Sequence, residues 1–476
     1  MNSKIIKCLL FGSLIIFFGS CKKWLDVKPE DKFIEESVFS SPQGFRDALN
    51  GLYLNIGNNQ LYGESVNMKL LDVSAQLFPG NNFYPSSQAV SPVSLSTYTY
   101  TDAGAIGVID TAWSNMYLLV TRINKFLENC ETYASVANPA ELRLHKGEAL
   151  GLRAYVYLDL LRMFTPNYVA NSEVKLIPYV DKTGFDIQPY STSSFVMDKI
   201  LGDLTAAEGL LNNDPAIAQA VVSLGNVQSG RISRNYKMNY YAVKALKARA
   251  YLWKGDKTSA LAAAKELIGF QSKFPWVTTS QFNNPSQSNK VFSPELIFAA
   301  ENPLLNDTFN RLFSSANRDL DALIASQDFQ NKVFENIGND YRLVSNWAVE
   351  GGKSYRTFIK YRDVTPIALS FNRTVPMIKM SEMYLIAAET EPDATTALGY
   401  LNTFRNNRGL ATLSSTTDIN NDIMKEYRKE FFGEGQLFFY YKRRNASQIL
   451  YANGQVQSIG TAAYTYPVPL SETQPR

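Results

Sequence analysis

Apolar residues recur at helical spacing over several long stretches of the chain. Phe45, Leu49, Leu52, Tyr53 and Ile56 follow Ser41-Pro42 and predict a helix over 42–56. Serine is a good N-cap and proline is tolerated at the first helical position. Trp113, Met116, Tyr117, Val120, Ile123, Phe126 and Leu127 predict a helix over 113–130, and Pro139 opens one over 139–162. Ser193 or Ser194 caps another that ends near 211. A pair over 236–254 and 258–268 turns at Gly255-Asp256, where glycine suits the end of the first helix. Helical spacing resumes over 377–389, 395–408 and 422–432.

Between these stretches the period is lost twice. Residues 57–111 and 270–375 are rich in Asn, Gly, Pro and Ser, and their aromatics follow no repeat. Such composition predicts long loops, which in a compact fold tend to be functional. Short strands are expected over 295–300 and 355–361. The last thirty residues predict loop with a short apolar stretch.

Two helix pairs look alike. Ala250-Tyr251-Leu252-Trp253 precedes the Gly255-Asp256 turn, and Ala260-Leu261, Ala264 and Leu267 follow it. Met383-Tyr384-Leu385 and Ala387-Ala388 precede Pro392-Asp393, and Ala397-Leu398, Leu401 and Phe404 follow. Small residues facing large ones across a short turn are the packing logic of tetratricopeptide repeats. The expected fold is therefore all-α, a scaffold of tetratricopeptide-like helix pairs from which the two insertions emerge with a few short strands.

The chain has 476 residues, Lys+Arg 47 against Asp+Glu 44, one His and three Cys. That balance supplies no field for nucleic acid. A single histidine, His145, cannot build the common zinc sites or a Ser-His-Asp triad. No glycine-rich phosphate loop occurs, so neither metal nor cofactor is expected. The aromatic share is 13%, with 27 Tyr beside 28 Phe. Tyrosine suits a surface that is part apolar and part wet.

The N-terminus reads as an address. Lys4 and Lys7 precede an apolar run over 9–18, too short to span a bilayer. The run ends in Phe18-Gly19-Ser20-Cys21, which resembles the lipobox of bacterial lipoproteins. Residues 1–20 are then a signal peptide, Cys21 the lipid-attachment residue, and 21–476 one domain. Several acyl chains on one cysteine give stable membrane anchoring. Cys130 is left as a thiol in a helix.

Further along, Trp24-Leu25-Asp26-Val27-Lys28-Pro29, Ala48-Leu49-Asn50-Gly51-Leu52-Tyr53 and Gly147-Glu148-Ala149 with Leu152-Arg153-Ala154-Tyr155 form an ordered set of motifs. The set continues with the helix 380–389 and its Glu382 and Glu389, then Leu401-Asn402 through Arg405 to Gly409-Leu410, then Glu430 and Glu434-Gly435. It closes on Pro467-Val468-Pro469-Leu470-Ser471-Glu472. In order and spacing this set resembles the SusD/RagB family of outer-membrane lipoproteins of Bacteroidetes. The resemblance implies a non-enzymatic lipoprotein on the outer membrane, facing the cell exterior. It would capture oligosaccharides and deliver them to a SusC-like TonB-dependent transporter. Peptide ligands in the same uptake role are one alternative. A surface-anchored all-α glycoside hydrolase and a purely structural repeat scaffold are others.

The motif residues Arg153, Glu382, Glu389, Arg405, Glu430 and Glu434 read as scaffold ion pairs. His145 reads as a surface or packing residue. Ligand candidates come from the insertions, because an aromatic outside helical spacing has no default burial. A ring can stack on the C–H face of a pyranose while amides bond its hydroxyls. The candidates are Asn81, Asn82, Phe83, Tyr84, Tyr98, Tyr100, Trp276, Tyr341, Asn346 and Trp347.

Overall fold

The computed structural model describes residues 35–79, 92–184, 186–218, 233–284, 286–365, 370–415 and 418–473. Cys21 and the 1–20 segment lie outside these residues, as do Asn81, Asn82, Phe83 and Tyr84.

The fold is helical, with strands only in small two-stranded sheets. The helix Pro42–Ile56 begins where Ser41 predicts: the serine side chain accepts from the Gly44 N–H. Ala103–Thr132, Pro139–Phe164, Ser193–Leu210, Tyr240–Lys254 and Lys257–Ile268 follow, each packed on the next. Lys257–Ile268 then packs on Met380–Thr390, which packs on Ala394–Asn406. The two look-alike pairs are thus direct neighbours, although more than a hundred residues separate them in sequence. Gly255, at φ +86°, ends the first helix of its pair in the left-handed region that glycine adopts without strain. Gly151 permits a close crossing, since a Cβ there would run into the Met238 side chain.

The strands Leu296–Glu301 and Thr374–Lys379 pair antiparallel and are almost wholly buried. The pair closes off residues 302–373, so that part of the second insertion is rooted at a single point. Thr374–Lys379 runs straight into the helix Met380–Thr390, which ties that root to the scaffold.

The insertions are more ordered than their composition predicts. Within 57–111, Ser65–Leu71 is a π-helical turn, Asp72–Ser74 and Val93–Ser96 are short helices, and Ala103–Thr132 starts ten residues before its first periodic aromatic. A π-helical turn does not follow the 3.6 spacing, and Ala103-Gly104-Ala105 offers few large apolar residues to reveal it. Within 270–375, Gln327–Val333 and Tyr341–Asn346 are helices too short to show a clear period, whereas Leu305–Leu312 carries it over two turns, burying Leu305, Phe309 and Leu312. The helix Gln436–Arg443 was also not expected. It is buried all round, so its apolar positions are continuous and not periodic.

The scaffold acids are paired. Arg153 holds Asp203 through two nitrogens at 2.7 Å, Arg249 holds Glu382 at 2.6 and 2.7 Å, and Arg405 holds Glu426 at 2.6 Å. Arg443 reaches Glu389 at 2.7 Å, and Lys379 reaches Glu434 at 2.8 Å. Glu430 takes Arg408 at 2.8 and 2.9 Å. Each of these carboxylates is engaged in holding elements together. His145 is buried, and burial holds its pKa below the ordinary value. The buried Cys130 thiol is pushed up to about 12 by burial, which leaves it unreactive. Among the described residues no helix is long and apolar enough to cross a membrane.

Candidate functional site

The first insertion and the end of the chain meet in an open cleft of about 740 Å³. Tyr98, Tyr100, Tyr451 and Tyr466 line it, with a rim that includes Thr99, Thr101, Ser458 and Thr465. Rings on a floor edged by hydroxyls match the two-sided chemistry of a sugar, an apolar C–H face bordered by polar groups.

Local structure holds these rings in place. Tyr98 sits at φ +57°, a left-handed conformation uncommon for an aromatic residue. It follows the short helix Val93–Ser96, and the Thr99 N–H closes the turn on Ser94 O at 2.8 Å. The Tyr98 hydroxyl donates to Ser74 O at 3.0 Å and accepts from Gln76 Nε2 at 3.1 Å. The Tyr100 hydroxyl donates to Ala463 O at 2.6 Å, which bonds the first insertion to the C-terminal segment. Burial raises both phenols above their ordinary pKa, so they stay protonated donors across the physiological range.

Tyr451 closes the wall. It follows the strand Gln448–Leu450 and opens the turn to Val456–Ser458. Gly454 at φ +82° supplies the turn, and its N–H donates to Tyr451 O at 2.8 Å. The Tyr451 ring meets Tyr98 edge-on at 6.5 Å, and Tyr98 meets Tyr100 the same way at 6.3 Å. Tyr466 lies beneath, stacked on Phe438 at 5.2 Å. Tyr98, Tyr100 and Tyr451 are half-buried, and the hydroxyls of the first two are fixed by hydrogen bonds. Rings already fixed lose little freedom when a ligand arrives.

The sequence candidates divide by position. Tyr98 and Tyr100 line the cleft. Trp347 is 5% exposed and packs at 5.1 Å against both Phe358 and Phe432. It presents no face to a ligand: its irregular sequence context hid a core position in the strand Trp347–Val349. Asn346 beside it is buried, and its side chain accepts from the Ser345 hydroxyl at 3.0 Å. Trp276 is half-buried on the helix pair, 5.1 Å from Tyr384 and beneath the Arg408 guanidinium. Tyr341 packs on Phe282 at 4.5 Å in a small satellite core. Those four positions pack against other residues of the fold: Trp347 lies in the main core, Trp276 packs on it, and Tyr341 packs on the satellite cluster.

Tyr451 was missed by sequence reasoning. A signal for it exists in Tyr451-Ala452-Asn453-Gly454, where Asn-Gly marks a hairpin turn directly beside an aromatic.

Known proteins share this fold. Residues 23–221 match a family described as SusD-like, starch-binding and associating with the outer membrane. Residues 325–468 match the SusD family. A SusD-like protein of Formosa agariphila is 23% identical over 462 residues, covering 86% of this chain and 82% of the relative. A SusD superfamily protein from Bacteroides thetaiotaomicron superposes with a TM-score of 0.70 at 21% identity, over 91% of this chain and 97% of the other. A SusD-like carbohydrate-binding protein from Bacteroides vulgatus superposes with a TM-score of 0.68 at 17% identity, over 91% and 96%. A laminarin-binding SusD-like protein superposes at 0.62 and 16%, over 91% and 98%. The helix-pair scaffold is the fold these structures share, and the motifs read along the sequence fall within one or other matched stretch, except that the closing one runs past residue 468. The chain belongs to the SusD/RagB family.

Proposed function

We propose that this chain is a binding protein that captures oligosaccharides in the tyrosine cleft, with no catalytic step of its own. The cleft carries the reading: the half-buried Tyr98 and Tyr100 are held by hydroxyl hydrogen bonds, Tyr451 sits half-buried on a turn, and hydroxyl side chains edge all three. The match to a starch-binding family and the likeness to a laminarin-binding protein support a glycan over a peptide. The buried carboxylates of the scaffold are engaged with arginine and lysine, which speaks against a hydrolase built on the motif acids.

Tyr451→Ala tests this. Tyr451 is half-buried on a surface turn, so its loss should leave the fold intact. Removing one stacking ring should weaken oligosaccharide binding by about 1–2 kcal/mol, or roughly 5- to 30-fold. Calorimetry against a panel of neutral oligosaccharides would read the change. An unaltered affinity in a folded variant would move the site elsewhere.

The same reading includes a lipid anchor at Cys21 and delivery to a SusC-like TonB-dependent transporter from the outer face of the outer membrane. A Cys21→Ala variant should leave the membrane fraction and appear as soluble protein. Retention in the membrane after that substitution would remove Cys21 as the anchor. Co-purification of the wild-type chain with a large β-barrel partner is the corresponding expectation for the transporter.

A further inference from the structure

A second cleft, of about 630 Å³, shares no lining residue with the tyrosine cleft. Its wall is polar and includes Asn283, Asn284, Lys290, Ser345, Arg362 and Asp363. Of its three charged residues, Lys290 and Asp363 are unusual.

Lys290 is only 5% exposed. Its ammonium donates to Arg362 O at 3.0 Å, and makes no other hydrogen bond or ion pair among the described residues. An ammonium has three donors, so two are unused. Burial, joined by the Arg362 charge, brings its pKa down to about 8 against the pull of Asp363 and Glu350. A buried cation without an ion-pair partner is costly unless something polar completes its shell.

Asp363 is the matching acceptor. Its backbone N–H donates to Asn306 Oδ1 at 3.0 Å, which fixes the residue. Its carboxylate accepts no hydrogen bond among the described residues, and Oδ1 is buried without a partner. Lys290 and Asp363 sense each other electrostatically but lie beyond ion-pair contact. A group that bonds to both at ordinary hydrogen-bond lengths would span a gap of roughly 4–5.5 Å.

The other polar groups narrow the chemistry. The Arg362 guanidinium is already paired with Glu350. Asn284 Oδ1 accepts from the Ser286 and Gln287 N–H groups, so its amide NH2 is left to donate. An anion would gain from Lys290 but face Asp363, and a cation would meet the reverse. A hydroxyl accepts from the one and donates to the other.

We propose that this cleft is a second binding site for a neutral saccharide unit, held through adjacent hydroxyls, one of which bridges Lys290 and Asp363. The inference rests on the reading of the chain as an oligosaccharide binder, yet it concerns different residues and can fail separately. Two sites would let one chain hold a longer glycan at separate points or retain a second ligand.

Methyl glycosides of glucose, galactose and mannose are suitable probes, followed by ligand-observed NMR on the full mature chain. Tyr451→Ala weakens the tyrosine cleft and so brings the polar cleft forward. In that background glycoside binding should persist, and Lys290→Met or Asp363→Asn should each weaken it by about tenfold or more, the usual effect of losing a hydrogen bond to a charged group. Near-UV circular dichroism would establish that each variant is folded, and the near-isosteric Asp363→Asn guards against a packing effect at Lys290. Glycoside binding that vanishes with Tyr451→Ala alone would overturn the proposal. So would binding that neither Lys290→Met nor Asp363→Asn alters, since the cleft would then hold only water. Binding insensitive to Tyr451→Ala but abolished by the Lys290 and Asp363 variants would uphold it, and would instead remove the tyrosine cleft.

Discussion

Arg408→Met should destabilise the fold by about 3–5 kcal/mol, the usual cost of stranding buried charges by removing one partner. Arg408 is fully buried between two carboxylates. It donates to Glu295 at 2.6 and 2.9 Å and to Glu430 at 2.8 and 2.9 Å. Its guanidinium also lies over Phe292, Phe404 and Trp276 at 4.9–5.3 Å. Methionine keeps much of the stem and its packing, so the loss isolates the charge. Glu295 suffers most, because Arg408 is its sole ion-pair partner among the described residues. Glu430 keeps Lys379 and Arg342. The double variant Arg408→Met with Glu295→Gln should therefore recover part of the loss. Denaturant unfolding would measure all three proteins, and an unchanged midpoint for Arg408→Met would refute the account.

The same variant should change the response to acid. Burial pushes the Glu430 carboxyl up, but Arg408 and Lys379 outweigh it and hold the group well below the usual carboxylate range. A depressed folded-state pKa contributes stability above the unfolded value, and that stability is lost as pH falls through the folded one. With Arg408 gone the depression shrinks, so this contribution disappears over a narrower and less acidic window. Glu295 is the opposite case: burial prevails over Arg408 and its carboxyl is raised.

Trp347→Ala should cost about 3–5 kcal/mol of stability without altering ligand affinity in the folded fraction. The ring fills a site between Phe358 and Phe432, with Phe334 at 6.4 Å, and its strand pairs directly with Phe358. Alanine leaves a cavity that a surrounding cluster of rings cannot readily close. Unfolding curves and calorimetry at a temperature where the variant remains folded separate the two effects. A Trp347→Ala protein as stable as wild type but weaker in binding would return Trp347 to the ligand site. The contrast with Tyr451→Ala is the useful one: a core ring should report in stability, and a cleft ring in affinity.

The scaffold was legible because each of its signals is local. Ser41-Pro42 and Pro139 start helices, Gly255 ends one, and the Ala-rich faces around Ala250 and Ala387 announce close helix packing. All of these appear as expected. The ligand candidates were harder to read. Tyr98 and Trp347 both sit in irregular sequence and look equally available, yet one lines a cleft and the other is core. Neighbours from distant parts of the chain decide between them: Tyr451 and Ala463 for the first insertion, Phe432 for Trp347. No local pattern records such a pairing.

The amino-acid sequence by itself determined the helix pairs, their order, the motif acids and the family they mark. These follow from backbone capping, side-chain size and apolar spacing within a few residues. The tertiary structure alone decided which aromatics stay open and which charges meet. It brought Tyr451 beside Tyr98, set Arg408 between Glu295 and Glu430, and left Lys290 and Asp363 apart in one cleft. Each of those outcomes depends on burial and on separations of a few ångströms between segments remote in the chain, which exist only once the helices have packed.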